Sequence, residues 1–250
     1  MLGQHQKSLE QARAAMQIYP KDSYGVMNMA RAYVSLNRFD EAQSILDQAT
    51  AQHLDSRGVH TANFRLALLR GDENTIKKDL EQVAGHYEEP ELYLMRAEDL
   101  CLRGKIRETR QSYTRALDSA RTQNMKEYRA NIFESEAGCE VDVGFLSQAR
   151  LEVNAALAES QDRNAKTGAA YVLARLGDEA KTNEILDDLD KASPADTLIH
   201  GIDIPRASHE SQPQSTATSP SRRGTGCCLR TFALRCARHG SSCRSFSASS

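Results

Sequence analysis

The chain of 250 residues, 40% apolar and 26% charged, is long enough for one extended repeat domain or two small globular ones. It has no Trp, six Pro and fourteen Gly, and Ala, Leu, Glu, Gln and Arg recur through the first two hundred positions, the vocabulary of helices. The net charge of −2 hides a split: residues 1–205 carry 25 Lys plus Arg against 33 Asp plus Glu, or −8, whereas 206–250 hold seven Arg, no Lys and a single acid, Glu210, or +6. No stretch approaches the roughly 18 apolar residues of a membrane span, and Met-Leu-Gly-Gln-His-Gln-Lys at the start lacks the core of a secretory signal. A cytoplasmic protein is expected. Cys101 and Cys139 stand far apart in the body and are expected to be buried, inert thiols in a reducing compartment.

Along the chain, a small or turn-forming residue recurs between amphipathic stretches at Gly3, Asn37, Gly71, Gly104, Gly144 and Gly177, at intervals of 34, 34, 33, 40 and 33. Five residues after each comes Ser8, Ala42, Ile76, Thr109, Ala149 or Thr182. Four further on stands Ala12, Leu46, Leu80, Tyr113, Val153 or Leu186, and three beyond that Ala15, Ala49, Val83, Ala116, Ala156 or Leu189. Steps of four and three keep these on one helical face. Before the punctuation, Ala30, Phe64, Ala97, Ala137 and Ala170, then Tyr33, Ala67, Leu100, Glu140 and Leu173, form the facing stripe. Each unit therefore reads as helix, tight turn, helix, with Gly or Asn supplying the left-handed residue that ends the first helix. Pro20 and Pro194 fall where second helices should stop. The long interval between Gly104 and Gly144 places about six extra residues at Thr122–Tyr128, most simply as longer helices.

This 34-residue helical pair, with small residues at these offsets and a terminal Pro, resembles the tetratricopeptide repeat. The resemblance runs from residue 1 to about 196. Ser23–Ser56, Pro90–Gln123 and Arg163–Asp196 are its clearest units, and Arg57–Glu89 is degenerate because of Phe64 and Ile76. It implies an all-α fold: an α-solenoid of antiparallel helix pairs, a right-handed superhelix over 1–204, with units near 1–22 (partial), 23–56, 57–89, 90–129, 130–162, 163–196 and 197–204 (partial), and a disordered Ser/Arg/Cys-rich tail over 205–250. The first unit holds only a second helix, Lys7–Ile18, and 197–204 begin a unit that is not completed. The expectation is thus a piece of a larger repeat protein with a frameshift near Pro205.

Catalytic motifs for phosphate binding, nucleophilic serine chemistry, zinc proteolysis and kinase chemistry are missing, so a non-enzyme without cofactor is expected. In the tail, Cys227, Cys228, Cys236, His239 and Cys243 include one zinc-like spacing without a second knuckle. Arg222, Arg223, Arg230, Arg235, Arg238 and Arg244, with Phe232 and Phe246, could form a basic arm; accidental residues of an out-of-frame tail account for both sets better. His53, His60 and His86 are expected in solvent. Glu88-Glu89-Glu91 and Asp187-Asp188-Asp190 lack a calcium-loop pattern and read as solvated helix ends, Glu88 and Glu89 favouring the helix start at Pro90.

The resemblance further implies that first helices line a groove for an extended peptide or a partner helix. Its expected lining is Tyr24, Met27, Asn28, Arg31, Arg65, Glu91, Leu94, Glu98, Asn131, Glu134, Asp142, Asn164, Tyr171 and Arg175. Basic residues toward the N-terminus and acids in the middle imply a partner of mixed charge. Met27 and Thr61 stand where Lys would clamp a C-terminal carboxylate, which argues against a chaperone-tail receptor. The alternative function is the sensory or scaffold part of a bacterial serine/threonine kinase or transcription regulator whose catalytic domain lies elsewhere. Nucleic acid is not an expected partner, and self-association through uncapped ends is a further expectation.

Overall fold

The computed structural model describes residues 4–54, 56–192 and 194–197. Among them are eleven helices: α1 (His5–Ile18), α2 (Ser23–Ser35), α3 (Phe39–Ala51), α4 (Arg57–Arg70), α5 (Glu73–Gln82), α6 (Glu89–Leu102), α7 (Ile106–Thr122), α8 (Lys126–Asp142), α9 (Leu146–Glu159), α10 (Arg163–Arg175) and α11 (Glu179–Ala192). They fall into two compact units, α1–α5 and α6–α11. The tail residues named above lie outside the described residues.

Within each unit the first helix of a pair packs on its own second helix and on the first helix of the next pair: α2 on α3 and α4 in the first unit, α6 on α7 and α8, then α8 on α9 and α10, in the second. This is the stacking of a helical-repeat solenoid. The punctuation residues create it. Asn37, Gly71, Gly104, Gly144 and Gly177 all have positive φ, between 58° and 87°, so the chain reverses at each without a longer loop. His53 and Asn124, with φ of 55° and 56°, do the same at second-helix ends, a role the sequence pattern did not assign to them. Asp22, Ser56, Asp72 and Asp162 cap helix N-termini with side-chain oxygens accepting from backbone N–H groups.

The extra residues before Gly144 lengthen helices, as expected: α7 and α8 have 17 residues each. Because α8 begins at Lys126, the turn lies at 123–125, and the expected unit edge at residue 130 falls inside a helix.

Both facing stripes are buried with three exceptions, of which Leu80 on the short α5 is half-buried. Ala42, Thr109, Ala149 and Thr182, then Leu46, Tyr113, Val153 and Leu186, then Ala49, Ala116, Ala156 and Leu189 are at most 6% exposed. Ser8 and Ala15, by contrast, are exposed. Among the described helices α1 packs chiefly on α2, so its register turns Leu9 and Ala12 inward and leaves Ser8 and Ala15 outside the core. The degenerate pair is real: Phe64 and Ile76 are fully buried, and α5 has only 10 residues.

The thiol expectation is overturned. Cys101 on α6 and Cys139 on α8 are joined by a disulfide with Cα atoms 6.2 Å apart. Two residues 38 apart in sequence meet because first helices of consecutive pairs lie side by side.

Candidate functional site

In the first unit, Tyr24, Asn28 and Arg31 follow one another at i, i+4 and i+7 on α2, a single face, and all three are exposed, Tyr24 by 70%. Met27 between them is half-buried. Its sulfur lies over Gly58 of α4, where a Cβ would come within 1.7 Å of Sδ, so it seals the α2–α4 seam. Arg65 is half-buried on α4. The face is therefore basic, with one large aromatic.

In the second unit the expected residues come together less freely. Glu91 and Glu98 are half-buried on α6, Asn131 and Asp142 on α8, and Tyr171 and Arg175 on α10; Asn164 alone is exposed. Leu94 is a correction: it is 6% exposed and sits in the apolar cluster with Ala97, Tyr113 and Ile132, because the close approach of α6 and α8 draws that position into the core. Glu134 is also buried, its carboxylate resting over Gly168 of α10. The same repeat position, ten residues before the turns at Asn37 and Gly144, thus twice fills a glycine notch on the next first helix, by Met27 and by Glu134.

Fixed polar contacts tie this inner face to the core. Ser135 Oγ donates to Glu98 Oε1 at 2.9 Å. Its single proton is thereby used, so the 3.1 Å contact with the fully buried Tyr113 hydroxyl has Tyr113 as donor. Arg175 pairs with Asp142 and stands 5.8 Å from the Tyr171 ring centroid.

A second group of charges lies among α7, α8 and α9. Glu140, buried where the repeat elsewhere has Tyr33, Ala67, Leu100 and Leu173, accepts two bonds from Arg110, at 2.9 and 3.1 Å, and Arg110 stacks over Phe145. Arg129 on α8 pairs with Glu159 on α9. Burial, then the charges of Glu152 and Glu140, push the Glu136 carboxyl up to about 8 against the opposing pull of Arg110. Burial likewise raises Glu152.

A shallow cavity of about 490 Å³ on α3 is lined by Asp40, Gln43, Ser44, Asp47, Gln48, Ala51 and Arg70, outside the expected groove. His53, His60 and His86 are exposed. Among the described residues no group of three His, Cys, Asp or Glu could hold a metal ion, and no helix is long and apolar enough to cross a membrane.

No curated protein and no solved structure matches the chain. Residues 1–62 match the family model described as tetratricopeptide repeat. That segment covers α1–α3 and the start of α4, and the left-handed turns at Gly71, Gly104, Gly144 and Gly177 carry its period onward through α11. Residues 1–62 are thus similar to the tetratricopeptide repeat, and the helix pairs that continue them pack as a helical-repeat solenoid.

Proposed function

We propose that this protein is a non-catalytic scaffold that holds an extended peptide or a helix of a partner protein against the inner faces of its first helices, in the cytoplasm. Repeats of this family generally serve protein–protein interaction, and stacked repeats present extended binding surfaces. The observation that carries the reading is the exposed row Tyr24, Asn28 and Arg31 on α2. A rigid aromatic beside an arginine is the composition of an interface anchor, and a 70% exposed Tyr contributes little to the core.

The partner carries mixed charge. Arg31 and Arg65 in the first unit favour an acidic stretch, and Glu91 and Glu98 in the second favour a basic one. A randomised peptide library selected on the full chain, then on a Tyr24→Ala/Arg31→Glu variant, tests this. Enrichment of peptides with an acidic stretch, lost on the variant, supports the reading. Absence of any enriched sequence, or equal enrichment on both proteins, contradicts it.

A further inference from the structure

We infer that the Cys101–Cys139 pair is a redox-controlled clamp that sets the spacing of α6 and α8 and, with it, the inner face of the second unit. Three observations meet at this point. The bond joins two first helices of consecutive pairs. Cys139 is 3% exposed within the apolar cluster that contains Tyr113, while Cys101, at its edge, is half-buried. Finally, Glu98 and Ser135, whose side chains bridge the same two helices at 2.9 Å, lie one helical turn before Cys101 and Cys139 respectively.

The exposed edge gives a small thiol access to one sulfur only. In reduction, a glutathione thiolate attacks Cys101 Sγ, the S–S bond breaks, and the electron pair leaves on Cys139 Sγ, which takes a proton. A second glutathione thiolate attacks the glutathione sulfur of the mixed disulfide, releasing Cys101 as a thiol and forming glutathione disulfide. Two thiols are oxidised for the two regained, and oxidation by glutathione disulfide is the reverse. Unbonded sulfurs cannot stay at bonding distance. Their contact separation exceeds the bond by more than an ångström, and with the tether gone α6 and α8 are free to part there. The turn that carries Glu98 and Ser135 moves with them, and their hydrogen bond weakens.

The inference concerns the same inner face as the proposed function but does not depend on what binds there. The full chain is equilibrated in glutathione buffers from fully reduced to fully oxidised, quenched by alkylation and peptide-mapped, and backbone hydrogen exchange is followed at both extremes. Expected are a linked Cys101–Cys139 peptide whose yield follows the buffer ratio reversibly, and exchange in α6 and α8 roughly tenfold faster when reduced, with α2 and α4 unchanged. Cys101→Ser, at the half-buried position, should show the fast exchange in either buffer. A linked peptide that never forms overturns the clamp. So does exchange in α6 and α8 that is equal in the two states. Either failure leaves peptide binding untouched, and failure to bind peptide leaves the redox behaviour intact.

Discussion

The two units share one repeat and hold it together differently. The first, α1–α5, has a cluster running from Leu9 through Leu46 to Leu66, and its long-range ion pair, Arg70–Asp40, is almost fully in water on the aspartate side. The second, α6–α11, has the 17-residue helices, the disulfide, and ion pairs whose members reach the core: Glu140 and Arg129 are 3% and 8% exposed. Arg70–Asp40 and Arg110–Glu140, each 30 residues apart, join a second helix to the first helix of the next pair, whereas Arg129–Glu159 ties α8 to its own second helix, α9. Burial decides what the pair contributes. An exposed pair is worth little, whereas removing one partner of a buried pair leaves a charge without compensation.

The largest expected effect breaks that contrast from the second unit. Arg110→Ala strands the buried Glu140 carboxylate and should cost about 3 kcal/mol in chemical denaturation, with the loss of exchange protection confined to α7–α9. Next is pH. The Glu136 carboxyl, raised from 4.5 to about 8 in the fold, binds its proton more tightly folded than unfolded. Its stabilising contribution is therefore complete below about pH 4.5 and is lost as pH rises through about 8. Stability of the natural chain should fall across that window by an amount on the order of 2 kcal/mol relative to Glu136→Gln, read as the difference between their denaturation midpoints at pH 5 and pH 9. Parallel curves would refute the buried-carboxyl account.

Smaller still, Tyr113→Phe removes the hydroxyl that donates to Ser135 and should cost about 1 kcal/mol, with faster exchange near Glu98. The smallest effect sharpens the comparison from the other side: Asp40→Ala, in the exposed pair of the first unit, should leave the denaturation midpoint unchanged within error. A loss equal to that of Arg110→Ala would erase the distinction between the units.

Most of the fold was legible because it rests on local chemistry repeated in register. Left-handed turns need Gly or Asn, and those residues marked the period; small residues at fixed offsets marked the helix contacts. What was missed depends on which helices become neighbours. Cys101 and Cys139 stand three and five residues before their turn glycines, nearly the same repeat position, and that offset was the available signal for the disulfide. Glu140 was visibly out of place in an apolar column, but its partner Arg110 lies one repeat earlier and on a second helix. For the groove, offsets alone could not separate the open positions of Tyr24, Asn28, Arg31 and Asn164 from Leu94 and Glu134, which the packing of neighbouring first helices buries.

The central claim, that the inner face receives a charged peptide, is tested most directly by titrating a selected acidic-stretch peptide into the natural chain and into Arg31→Glu, then repeating both with the peptide's acids changed to Lys. The account predicts at least roughly tenfold weaker binding to Arg31→Glu and recovery with the charge-reversed peptide. Equal affinities in all four titrations would contradict it.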